Sequence, residues 1–151
     1  DILSMGRLLN ELSDLHLRPL SAPHHAEIYS LGRVFERRGE SGRARQCYRA
    51  VNNSQFADLA AVRIAETYRK EKDPQRAAAV YEGLIAAGKG GAHAYIALAK
   101  LYEFRLKQPA RALEVARGGM LYCLETLSED GRALADLKYR HARLLKKNGG
   151  I

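Results

Sequence analysis

The sequence predicts an all-α chain built from repeated helix pairs, and three observations carry that expectation. Aromatic anchors recur at Phe35, Tyr68 and Tyr102, spaced 33 and 34 residues apart. Alanines recur at Ala44, Ala77 and Ala112, spaced 33 and 35. Every clear segment places apolar residues at helical spacing, and none combines strand alternation with turn chemistry. A period of this length is that of a helix pair, repeated about three times.

Each element has its own justification. Residues 1–16 set Ile2, Met5, Leu8, Leu9 and Leu12 on one helical face. Pro19 and Pro23 bracket a connector. A helix from about Pro23 to Arg38 stops at Gly39. Ser41 is the expected N-cap of the next helix, which ends near Asn52-Asn53. A third helix is expected from about Ser54 to Lys72. Asp73-Pro74 then reads as a helix start: the carboxylate caps, and proline takes the first position, where its missing N–H costs nothing. That helix stops at Gly88, an expected left-handed cap, and Gly88-Lys89-Gly90-Gly91 is a loop. A fifth helix covers about Ala92 to Leu106. Pro109 opens a sixth that runs to about Leu127, weakened at Gly118-Gly119 by about 1 kcal/mol per glycine relative to alanine. Ser128 with Glu129 and Asp130 starts the last helix, which ends at Asn148-Gly149. The expected organisation is one helical-repeat domain over 1–151. It comprises an N-terminal helix and connector (1–20), helix pairs over 23–53, 54–88 and 91–127, and a closing basic helix over 128–148.

The chain has 151 residues, enough for one domain or a short repeat array. It carries 25 Lys and Arg against 17 Asp and Glu, a formal charge of +8. With 46% hydrophobic and 28% charged residues it has the composition of a folded globular chain rather than a disordered one. No apolar run approaches the about 18 residues of a membrane span, and residues 1–20 lack the pattern of a signal peptide, so no membrane partner is expected. Cys47 and Cys123 are too few for a disulfide framework and suit a reducing cytoplasm. The chain opens on Asp1 rather than methionine, so processing or a longer parent protein is expected.

The recurring residues resemble the tetratricopeptide repeat. Its two-helix unit has a small–large seam in which a Leu-Gly or Leu-Ala pair lets helices approach closely beside an aromatic. The first unit carries Leu31, Gly32, Phe35, Gly39, Ala44, Tyr48 and Val51. The second carries Ile64, Ala65, Tyr68, Ala77, Tyr81 and Leu84. The third carries Tyr95, Leu98, Ala99, Tyr102 and Ala112, then departs: one extra residue lies between its helices, and Ala116 stands where an aromatic is usual. The match covers about residues 25–120. It implies a right-handed superhelical array of about three such helix pairs with an extra helix at each end, the first helices lining a concave groove. By family correspondence that groove exposes Tyr29, Arg33 and Arg37, then Val62, Glu66, Arg69 and Lys70, then His93, Ile96, Lys100 and Phe104. Arg33 and Arg37 are one turn apart and share a face. The implied groove is mostly basic over an aromatic and aliphatic floor, and suits an acidic or extended peptide or a phosphate backbone. A merely solvated face is the competing reading. Tyr29 and Arg33 stand where the Lys and Asn of the chaperone-tail carboxylate clamp belong, so chaperone tails are not expected partners.

The chain is also similar to the tetratricopeptide tail that some bacterial ribonuclease-H-like exonuclease fusions carry. The likeness lies in Tyr102-Glu103-Phe104-Arg105-Leu106-Lys107, in the basic stretch Asp136 to Leu144, and in Asp1-Ile2-Leu3-Ser4. That resemblance makes Asp1 the last of four metal-binding carboxylates in a parent enzyme. The other carboxylates are absent from this chain, and two-metal hydrolysis needs them converged. The chain alone is therefore expected not to be an enzyme. In this alternative the basic surfaces, including Arg140, Arg143, Lys146 and Lys147, hold single-stranded nucleic acid near an upstream domain. Residues 132–147 carry a balance of +5 and residues 33–49 one of +4. Closing helices of repeat arrays need a polar outer face in any case, and cations favour a helix C-terminus. A third alternative is purely architectural packing against neighbouring domains.

No active site, cofactor or metal centre is expected. His24-His25 is an adjacent pair whose side chains diverge, without a partner at zinc spacing. His16, His93 and His141 are isolated. Cys47 and Cys123 read as small packing residues. The Gly88-Lys89-Gly90-Gly91 stretch lacks the earlier glycine, the following Ser or Thr and the preceding strand of a phosphate loop.

Overall fold

A computed structural model describes residues 22–51, 55–127 and 130–149. Among them every regular element is helical: α1 (Ala22–Arg37), α2 (Ser41–Ala50), α3 (Ala57–Lys70), α4 (Pro74–Ala86), α5 (Gly91–Lys100), α6 (Pro109–Glu125) and α7 (Gly131–Lys147). The last turn of α5 widens into a π-helical turn over Leu101–Arg105. The helix expected over residues 1–16 lies outside the described residues, as do Asn52, Asn53, Ser54, Ser128 and Glu129.

The helix ends follow their local chemistry. Gly39 takes φ +78°, and the Glu40 N–H donates back to the Phe35 carbonyl at 2.9 Å. This left-handed turn ends α1 without a Cβ penalty. Asp73 caps α4 by accepting from the Arg76 N–H at 3.2 Å, with Pro74 at the first position. Gly88, at φ +69°, closes that helix in the expected left-handed conformation. Asp130 caps α7 by accepting from the Ala133 N–H at 3.1 Å. Three expectations are corrected. Ser41 is the first residue of α2 rather than its cap, and Glu40 precedes it without a side-chain capping bond. α3 begins at Ala57, three residues past Ser54. The fifth helix is not uniform but ends in the π turn. The sixth helix is as expected: α6 runs unbroken from Pro109 through Gly118-Gly119 to Glu125.

The chain divides into two compact units, Asp1–Lys70 and Glu71–Ile151. The division falls after α3, inside the helix pair expected over 54–88. In the first unit α1 and α3 both pack on α2. They enclose Ile28, Leu31, Phe35, Cys47, Tyr48 and Val51. In the second, α4 packs on α5, α5 on α6, and α7 on both α6 and α5. Tyr81, Leu98, Leu101, Tyr102, Leu137 and Leu144 are buried there.

The seam residues Leu31, Gly32, Phe35, Ala44, Tyr48, Ala65, Tyr68, Ala77, Tyr81, Leu98, Ala99, Tyr102 and Ala112 are all buried, and Ile64 is half-buried against the first core. The glycines show why small residues are needed. A Cβ at Gly32 would sit 2.7 Å from Cε1 of Tyr48, and one at Gly119 would sit 2.8 Å from the Tyr95 Cβ and 3.0 Å from Leu137. Gly119 is therefore the surface on which α5 and α7 close onto α6. Its packing outweighs its poor helix propensity. We expect Gly32→Ala to destabilise the chain by about 1–3 kcal/mol through overpacking. Gly83→Ala on α4, with no atom within 4 Å of the new Cβ, should instead stabilise by up to about 1 kcal/mol. Chemical denaturation of the two variants checks both signs.

Candidate functional site

Three helices of the first unit converge on one carboxylate. The Glu36 side chain is 2% exposed. Its Oε2 accepts from the Tyr48 hydroxyl at 2.7 Å, from Arg63 Nε at 3.0 Å and from Arg33 at 3.4 Å. Its Oε1 accepts from Lys70 Nζ at 2.8 Å and from the second nitrogen of the Arg63 fork. Burial pushes this carboxyl up, but the bonds from Arg63, Lys70 and Tyr48 outweigh burial and hold it at about 2. Burial and the Glu36 bond both push the Tyr48 hydroxyl up, so it remains a proton donor. The cations are not fully buried: Arg33, Arg63 and Lys70 keep 36%, 26% and 51% of their side chains exposed. Arg37 is exposed one turn beyond Arg33, and Arg69 pairs with Glu66 at 2.8 Å.

A second buried carboxylate organises the end of the chain. Glu103 lies in the π turn with its side chain 2% exposed. Its Oε2 accepts from Arg143 at 2.5 Å and from Arg140 at 3.3 Å. Arg140 also reaches Asp136 at 3.2 Å, and the Arg143 guanidinium lies 5.6 Å from the centre of the Phe104 ring. This corrects the expectation that Arg140 is an exposed nucleic-acid contact. Glu103 draws it into the interior, where its side chain is 9% exposed, and Arg143 is half-buried on the same oxygen. Lys146 and Lys147 are exposed.

The expected groove positions separate by unit and by burial. Tyr29 is not an open groove residue: its ring packs at 5.6 Å on both Tyr48 and Phe56, at the edge of the first core. Val62 and Glu66 are half-buried beside exposed Arg69 and Lys70. In the second unit His93, Lys100 and Phe104 are exposed and Ile96 is half-buried. His93 stands edge-on to Tyr81 at 6.4 Å. Sequence reasoning missed Glu36, Arg63 and Glu103. A signal existed: Glu36 directly follows the anchor Phe35, and Glu103 directly follows the anchor Tyr102. A second regularity is an arginine before each repeat alanine, at Arg43, Arg76 and Arg111. Arg43 lies over the Phe35 ring at 5.8 Å and Arg111 over the Tyr102 ring at 5.6 Å, contacts in which the cation meets the negative ring face.

Burial pushes the Cys47 thiol up to about 11 and, together with the Asp130 charge, raises that of Cys123. Both sit as buried, protonated packing residues. Among the described residues no group of three or more His, Cys, Asp or Glu side chains could hold a metal ion, and no helix is long and apolar enough to cross a membrane. Comparison with protein-family models, with curated proteins and with solved structures finds no match to the chain.

Two outcomes follow from the buried carboxylates. Because Glu36 is held below its ordinary range, its contribution is fully present above about pH 4.5. It is lost as pH falls toward about 2. Its size is on the order of 3 kcal/mol. Glu36→Gln should flatten the acid limb of stability against pH, measured by urea denaturation between those values. Arg140→Ala should cost about 3 kcal/mol, because it strips a partner from a buried ion pair. Lys147→Ala, at an exposed position, should stay within about 0.5 kcal/mol in the same assay.

Proposed function

We propose that the chain is a protein-interaction module of tetratricopeptide-like helix pairs, without catalytic chemistry of its own. The basic face of its first unit grips an acidic, extended peptide segment. The observation that carries this reading is the set of partly exposed cations that Glu36 holds in fixed positions. Arg33, Arg37, Arg63, Arg69 and Lys70 face Glu36 and Glu66, which leaves a surplus of three positive charges. Arginine and lysine side chains normally lose rotamer freedom when they engage a ligand. Here Glu36 has already fixed three of them, so a partner carboxylate meets donors that are pre-positioned. The bidentate grip of Arg63 on Glu36 leaves its remaining amino group directed away from that carboxylate. Charge-assisted bonds of this kind are among the stronger ones, and the overall charge of +8 steers an acidic segment toward the chain. His93, Ile96, Lys100 and Phe104 belong to the second unit, and the reading does not depend on them.

Fluorescence anisotropy of the full chain with a labelled Glu- and Asp-rich peptide tests the reading, beside a labelled single-stranded oligonucleotide across salt. The peptide should bind, and the Arg33→Glu, Arg37→Glu double variant should weaken it by about tenfold or more. Undiminished binding by that variant overturns the proposal. Tighter binding of the oligonucleotide, falling with salt by about 0.7 per contact on a log–log slope, would replace it with the nucleic-acid reading.

A further inference from the structure

The second unit contains a cleft whose electrostatics oppose those of the first unit's basic face. It has a volume of about 460 Å³ and lies between the C-terminal half of α4 and the N-terminal two-thirds of α6, with α5 and its π turn as the floor. Pockets that take specific ligand groups have volumes of about 300–1,000 Å³. Ile85 and Val115 form apolar walls, and the floor is Tyr95, Leu98 and Tyr102. Gly118 keeps the floor open, since a Cβ there would already stand 3.4 Å from the Tyr95 ring.

The rim is acidic in a chain of charge +8. Glu82 stands on the α4 wall and Glu114 on the α6 wall, with Arg111 as the one cation among the lining residues. Arg111 is already engaged: its guanidinium lies over the Tyr102 ring and 3.5 Å from the Tyr102 hydroxyl. Glu82 accepts from that same hydroxyl. Glu114 is exposed. The aromatic floor offers edge-to-face contacts to a ring, and tyrosine faces attract a cation. The carboxylates at the rim then meet a cation carried beside that ring.

We propose that this cleft is a docking site for a peptide segment bearing an aromatic side chain next to an arginine or lysine. The ring fills the space over Tyr95, Leu98 and Tyr102, and the cation reaches Glu114 and Glu82. The site is distinct from the basic face in unit, lining residues and sign of charge, so it neither needs the proposed function nor falls with it.

The probe is an amidated acetyl-Gly-Phe-Arg-Gly peptide, titrated into the ¹⁵N-labelled full chain and followed by backbone amide shifts. Saturable shifts should centre on Tyr95, Leu98, Tyr102 and Gly118. Glu114→Lys, a change at an exposed position, should weaken the probe by about fivefold or more. Gly118→Leu should abolish binding, with circular dichroism confirming that the variant is helical and Glu114→Lys carrying the test if it is not. The Arg33→Glu, Arg37→Glu variant should bind the probe unchanged. The proposal is overturned by an absence of saturable shifts at these four residues. It is also overturned by equal binding of a peptide with Glu in place of Arg, or by full affinity in Glu114→Lys.

Discussion

Glu36 is withdrawn from water, and an ionised carboxylate survives there only inside a shell of donors. α1 supplies the carboxylate and Arg33, α2 supplies Tyr48, and α3 supplies Arg63 and Lys70. A sliding of any helix by one turn would strand a charge, so the shell sets the relative register of all three. The small–large seam and this shell are one device. Gly32 and Glu36 lie one turn apart on α1. The Tyr48 ring presses on Gly32, and that contact carries its hydroxyl to 2.7 Å from Glu36. A side chain at position 32 would displace the ring and withdraw a donor from the carboxylate.

The second unit repeats the device with different exposure. Glu103 also follows an aromatic anchor and also gathers two guanidinium groups. Its cations come from α7, the basic closing helix, and one of them is nearly buried. The first shell therefore leaves all three of its cations partly exposed, whereas the second ties Arg140 into the interior and leaves only Arg143 partly exposed. Buried ion pairs contribute little net stability against an apolar alternative. Their value here lies in fixing which face of each helix turns inward.

Much of the helical organisation was legible in the sequence. The aromatic and alanine spacings, the Asp73-Pro74 start and the stops at Gly39 and Gly88 rest on strong local preferences of backbone and packing. The buried carboxylates were not legible. A glutamate among arginines, as in Arg33 to Arg38, has the pattern of a solvated helix face, and acidic residues are seldom buried. Their burial depends on partners 27 to 40 residues away in sequence. The same holds for Arg140, whose basic neighbours suggest a surface while Glu103 holds it inside. The acidic-rimmed cleft was also hidden, because its carboxylates come from α4 and α6 and no single segment is acidic.

The π turn at Leu101–Arg105 bears on how such a chain tolerates change in length. The third helix pair holds one residue more between its anchor and its alanine than the first two. Inside an α-helix one added residue rotates all that follows by about 100° and would turn a core face outward. A widened turn can absorb the residue locally, and π turns of this kind are known mostly as single-turn bulges within α-helices. Downstream, Ala112 and Ala116 still point into the core, while Leu101, Tyr102 and Glu103 are buried in succession. The widened turn also carries Glu103, which holds Arg140 and Arg143 of the last helix. A length change that would ordinarily turn a core face outward is thus accommodated within one turn, beside the point where the last helix is anchored.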